Sequence, residues 1–130
     1  MITDTIGNFL TVIRNGTMVG KPFVVAPYSK ICHAITDILK KEGFIRDFSL
    51  DGLGVEKKIK VFLKYVNGES VIHELHRVST PGKRAYAQAR NVSPVIGGLG
   101  VAIVTTNLGV LTDKEVRNRH VGGEIICTVW

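Results

Sequence analysis

Apolar residues recur along the first part of the chain at helical spacing: Ile6, Phe9, Leu10 and Ile13 fall at i, i+3, i+4 and i+7, the stripe of an amphipathic helix. Thr3 or Asp4 can cap its start and Gly16 can stop it. Phe23 to Ala26 is a short apolar run ended by Pro27, and Ser29 can then cap a second helix. The stripe of that helix is Ile31, Ala34, Ile35, Ile38 and Leu39, up to Gly43. Phe44 to Leu50 and Lys58 to Tyr65 flank a turn at Asp51, Gly52 and Gly54, which predicts a hairpin. In its second arm Ile59, Val61 and Leu63 share one face, opposite Lys58, Lys60 and Lys64. The order helix, strand, helix, strand, strand predicts a small sheet backed by two helices, and the turn residues Asn67 to Ser70 place a boundary near residue 68.

Beyond that boundary the pattern is mostly that of strands. Val71 to Val78, Arg84 to Ala87, Val101 to Thr105 and Glu124 to Trp130 read as strands, with Ser79, Thr80, Pro81 and Gly82 as a turn. One short helix is signalled by the capping box of Thr112 and Glu115, with Arg117, Arg119 and His120 towards its C-terminal end and Gly122 and Gly123 closing it. The expected fold class is α/β of the α+β kind. A helix-strand-helix-strand-strand domain over residues 1–67 is followed by a mainly antiparallel β domain over 68–130.

Composition narrows the partners. The 45% apolar content and a mean hydropathy of +0.18 exclude a disordered basic tail, and 130 residues suffice for a real core. Seventeen Lys and Arg against eleven acids give +6 and a pI near 9.6, which favours an anionic partner. Residues 1–67 hold ten of those bases and six of the acids, and residues 68–130 hold seven and five. Nucleic-acid binding by the second half therefore cannot rest on bulk charge. Cys32 and Cys127 each lie in an apolar run, which predicts buried free thiols in a reducing, cytosolic setting. No charged leader precedes an apolar stretch and no apolar run nears the roughly eighteen residues of a membrane span, so neither secretion nor membrane insertion is expected.

Enzyme-like motifs fail on inspection. Gly98 and Gly100 precede a strand and lack the third glycine of a dinucleotide loop. On a strand, the three-residue separation of His73 and His76 sends their rings to opposite faces, away from a shared metal. Cys32 and His33 point about a hundred degrees apart on a helix. A hydrolase built on His76 or His120 finds no ordered nucleophile, base and orienter. No enzyme, cofactor or metal is expected. The lysines 57, 58, 60 and 64 read equally as a solvated face or as a phosphate-contacting one.

Two segments read as contacts to nucleic acid. In the stretch from Ser79 to Tyr86, Pro81 and Gly82 shape a tight turn, Lys83 and Arg84 can meet phosphates, and Tyr86 offers a ring for stacking. Thr105, Thr106 and Asn107 lie between apolar runs, where short side chains and amides can hydrogen-bond sugar and phosphate oxygens.

These motifs together resemble a known family. TDTIGNFLTVIRNG, KEGFI, RVSTPGKRAY, GLGVAIVTTNLGVLTDKEV and VGGEIICTVW, in this order, are similar to the signature segments of small-subunit ribosomal protein eight in its bacterial form. The resemblance implies a non-catalytic protein without cofactor that binds the central domain of the small-subunit rRNA early in assembly of the platform. It also implies that Thr105 to Asn107, Ser79, Lys83, Arg84, Tyr86 and the turn of Gly122, Gly123 and Glu124 lie against an irregular RNA helix. Asp4, Arg14, Asn15 and Lys30 would touch neighbouring rRNA. The implied partners are ribosomal proteins five and twelve, and the implied setting is a ribosome, cytoplasmic or organellar. As a second role the resemblance allows translational repression through an mRNA, its own operon's, that mimics the rRNA site. Thr105-Thr106-Asn107 stands where relatives usually read Ser-Thr-Ser, which adds a methyl and an amide while keeping hydrogen-bonding groups. Ile96-Gly97-Gly98 lacks the bases relatives often carry there, and Val116 replaces a usual alanine.

Overall fold

The computed structural model describes residues 4–130. Thr3, one of the two candidate caps of the first helix, lies outside the described residues. The elements run α1 (Thr5–Met18), β1 (Phe23–Pro27), α2 (Lys30–Lys41), β2 (Ile45–Asp51), β3 (Lys58–Leu63), β4 (Tyr65–Val66), β5 (Glu69–Ser70), β6 (Leu75–Arg77), β7 (Tyr86–Ala87), β8 (Val101–Thr106), β9 (Gly109–Thr112), α3 (Asp113–Arg119) and β10 (Gly123–Val129). This is a mixed α/β protein with antiparallel sheets, and it divides into two compact units, Thr5–His73 and Glu74–Trp130, the second including Asp4.

In the Thr5–His73 unit the strands lie in the order β1-β3-β2. Phe9, Leu10 and Ile13 of α1 and Cys32, Ile35, Ile38 and Leu39 of α2 are buried with Val24, Ala26, Ile59, Val61 and Leu63 of the sheet. Each large aliphatic side chain removed from water there is worth about 1.5–3 kcal/mol. Ser29 caps α2 as expected, its side chain accepting from the Cys32 amide at 3.1 Å. Thr36 is buried inside the same helix because its hydroxyl donates to the Cys32 carbonyl at 2.7 Å.

Gly16 does not stop α1, which continues to Met18. It is buried, and a Cβ there would strike the Val24 side chain. The glycine permits close helix-to-strand approach. Lys58 and Lys60 do lie on the face of β3 opposite Ile59 and Val61, but Lys64 follows the strand and its ammonium donates to the Gly43 carbonyl at 3.4 Å. Tyr65 belongs to β4, and its hydroxyl donates to the Lys21 carbonyl at 2.6 Å.

In the second unit β10 is central, pairing with β6, β7 and β8, while β9 extends the sheet beyond β8. Val101 to Val104 are all buried, and Val92, Val104, Leu111 and Val116 form a core cluster beneath α3. The single strand expected over Val71–Val78 is broken. The strand itself is Leu75–Arg77, with backbone bonds to β10 and Trp130 extending from Glu74 to Val78, and it does not reach Val71 because Ile72 and Leu75, three apart, are the buried residues, a spacing that alternation cannot serve. The strand expected over Arg84–Ala87 is only Tyr86–Ala87, and β9 had no separate expectation. The capping box forms as expected: Thr112 accepts from the Glu115 amide at 3.3 Å, and Glu115 accepts from the Thr112 amide at 3.2 Å. The helix closes at His120, which adopts the left-handed conformation at φ 55°, and not at Gly122 or Gly123.

Cys32 and Cys127 are buried and unbonded to each other. Burial pushes the Cys127 thiol up to about 12 against a smaller opposing pull from Arg77, so it stays a neutral apolar filler.

Candidate nucleic-acid interface

Strand register builds the site. Glu124 of β10 lies opposite Thr105 of β8 on one side and opposite Tyr86 of β7 on the other, so three residues distant in sequence form one row across three strands. At one end of the row Tyr86 is 71% exposed, although it is paired in a sheet. An aromatic ring left in water at a sheet margin is a ready stacking surface.

Glu124 is the anchor of that row. Its carboxylate accepts from the Ser79 hydroxyl and from the Arg84 guanidinium at 3.0 Å, and the Ser79 oxygen in turn accepts from the Ala85 amide at 3.1 Å. Ser79 is fully buried, so it braces the turn that precedes Tyr86 from within. Burial of Glu124 opposes ionisation. The hydrogen bonds from Ser79 and Arg84 and the positive charges of Arg84 and Arg77 outweigh it and hold the carboxyl below its ordinary 4.5. A carboxyl whose pKa is depressed on folding adds stability above its unfolded value, and this is lost as pH falls through the folded value. Acidification below about pH 4.5 should therefore lower the thermal midpoint of the native chain more steeply than that of Glu124→Gln. Equal acid sensitivity in a calorimetric pH series would show that Glu124 does not anchor the turn.

The turn after Thr105 is held by its own side chains. The Thr106 hydroxyl donates to the Gly109 carbonyl at 2.8 Å and accepts from the Leu108 amide at 3.0 Å, which leaves Asn107 exposed at the tip. Among the described residues the Thr105 hydroxyl is buried without a hydrogen-bond partner, an uncommon state for a polar group. Gly122 and Gly123 serve packing. A Cβ at Gly122 would come within 2.8 Å of the Ala87 carbonyl oxygen, and one at Gly123 would collide with that of Thr105.

The remaining sequence-derived candidates are dispersed. Lys83 is exposed on the turn and, among the described residues, is in no ion pair. Asp4 binds Arg77 at 3.2 Å. Arg14 and Asn15 sit on α1 and Lys30 is the first residue of α2, all in the Thr5–His73 unit. Arg77 was not singled out from the sequence, yet it ties Asp4 to the Ile126 carbonyl. Its place at the head of RVSTPGKRAY was the available signal.

A braced turn, an exposed ring and a strand-end threonine thus share one side of the β7-β10-β8 register. The sequence model of the family described as ribosomal protein S8 matches residues 4–130. The small ribosomal subunit protein uS8 of Lactobacillus delbrueckii subsp. bulgaricus is 50% identical over 131 residues, covering 100% of this chain and 99% of the relative. That of Enterococcus faecalis is 50% identical with the same coverage, and that of Desulforudis audaxviator 47% identical over the whole of both chains. The chain belongs to the ribosomal protein S8 family and is a non-catalytic structural constituent of the small ribosomal subunit. Among the described residues no helix is long and apolar enough to cross a membrane.

Proposed function

We propose that the chain is a primary rRNA-binding protein that grips an irregular helix in the central domain of the small-subunit rRNA and helps assemble the platform beside ribosomal proteins five and twelve. The reading rests on the row of Thr105, Glu124 and Tyr86. Regular A-form RNA hides its major-groove edges, so recognition favours sugar hydroxyls, distorted backbone and an unstacked base. The Tyr86 ring takes the base, and the turn of Thr106 and Asn107 that follows Thr105 meets ribose and phosphate oxygens. Asn107 and the amides near Gly122 and Gly123 fix register, and Lys83 supplies salt-sensitive attraction. Arg84 is paired with Glu124 at 3.0 Å and acts chiefly to hold the turn. Arg14, Asn15, Lys30 and Asp4 serve adjoining rRNA, and the two buried free thiols suit a cytoplasmic ribosome.

Tyr86→Ala tests the row directly. Filter binding to a central-domain rRNA fragment should weaken by about 1–3 kcal/mol, with an unchanged circular dichroism spectrum because the ring is mostly in solvent. Undiminished affinity would remove Tyr86 from the interface.

A further inference from the structure

The sheet of the Thr5–His73 unit has a second face that the reading above leaves unused. Along β1, Val24 and Ala26 are buried while Phe23, Val25 and Pro27 are exposed; along β3, Ile59, Val61 and Leu63 are buried while Lys58, Lys60 and Phe62 point the other way. Register sets Phe23 against Phe62, Val25 against Lys60 and Pro27 against Lys58. The two rings lie 6.2 Å apart at 57°, and the Lys60 ammonium sits 4.1 Å from the Phe23 ring and 5.3 Å from that of Phe62. Phe23 is 40% and Val25 47% exposed.

Single exposed apolar residues are ordinary, but a cluster of them marks a contact surface. Charge decides the kind of partner. Among the described residues Lys57, Lys58 and Lys60 are in no ion pair. Of the carboxylates opposite β3, Asp47 is taken by Lys40 at 3.0 Å, which leaves Asp51 beside Lys58. Aromatic faces interleaved with unneutralised ammonium groups match a polymer that alternates flat rings with anionic links. An apolar peptide would strand the lysines, and an acidic one would leave the rings in water.

We propose that this outer sheet face is a second RNA-binding surface, taking an unpaired segment whose bases stack on Phe23 and Phe62 while its phosphates meet Lys58 and Lys60. Lys60 exchanges its place over the ring for a phosphate, since an exposed cation–π contact is weaker than base stacking. The surface is distinct in residues from the row of Thr105, Glu124 and Tyr86, and it accounts for the lysines of β3.

Fluorescein-labelled decaadenylate, titrated into the full chain and read by anisotropy, tests this. Phe62→Leu keeps apolar volume and removes the ring, and Lys60→Ala removes the charge; each should weaken binding about ten-fold. Amide shifts on titration should map to Phe23, Val25, Lys60 and Phe62. Loss with Lys60→Ala but not with Phe62→Leu would reduce the face to nonspecific electrostatics and overturn the proposal. Shifts confined to residues 74–130 would overturn it too. So would self-association of the chain that Phe62→Leu abolishes while RNA binding persists, which would give the face to a second copy.

Discussion

Gly123→Ala destabilises the Glu74–Trp130 unit by about 3 kcal/mol, in the upper part of the range for overpacking against atoms that cannot yield. The added methyl is directed at the carbonyl oxygen of Thr105, within 3.0 Å of its carbon and of the Thr106 side chain. These obstacles are mostly backbone, so no rotamer change relieves them; β8 and β10 must part where Glu124 faces Thr105. The substitution therefore strikes stability and the row of Thr105, Glu124 and Tyr86, the proposed RNA contact, together. Trp130, the chain's one tryptophan, closes this unit through its indole N–H to Glu74 at 2.9 Å, so its fluorescence in a urea titration reports the loss locally. A midpoint displaced without a change of slope is expected, with affinity for the central-domain fragment falling alongside it. A midpoint within experimental error of the native chain's would mean that β10 can retreat at this position, and that glycine there has no packing role.

Gly123 also shows what a sequence can and cannot disclose. Periodicity reveals α1 and α2, because each buries one stripe, and the chemistry of Ser29 and of Thr112 with Glu115 reveals where two helices begin. These are local signals, complete within a few residues. Glycines carry no such signal. Gly16 and Gly123 resemble helix stops, yet each exists for a neighbour distant in sequence, Val24 and Thr105. Likewise Tyr86, Thr105 and Glu124 stand out individually as polar or aromatic residues near turns, but their alignment is a property of the β7-β10-β8 register, including the irregularity between Ile125 and Cys127. Strand pairing over such separations is set by packing, which no single segment encodes. β9 escaped notice for a related reason: four residues, one of them already the cap of α3, present too little alternation to read. Arg84 was legible as a cation, while its commitment to Glu124 was not.

Asp113→Ala costs about 3 kcal/mol by a different route, the stranding of polar groups. Asp113 is 1% exposed at the start of α3. β9 reaches only to the pair of Thr112 with Ile103, so the amide of Ala102, one residue further along β8, has no strand partner on that side and donates to the Asp113 carboxylate at 3.2 Å. The other carboxylate oxygen holds Arg117 at 2.9 Å, and Arg117 also donates to the Val92 carbonyl at 3.1 Å. One side chain thus ties β8 to α3 and, through Arg117, to the segment between β7 and β8. Alanine leaves a buried amide unsatisfied, at about 1–3 kcal/mol, and removes the partner of a mostly buried guanidinium. Asp113→Asn keeps an acceptor for Ala102 and gives up only the charge, so it should cost about 1 kcal/mol. The ordering native, asparagine, alanine in urea midpoint, read at Trp130, is the expected result. Equal losses for both variants would assign the whole effect to the ion pair with Arg117, and no loss in either would show that water replaces the carboxylate at the end of β8.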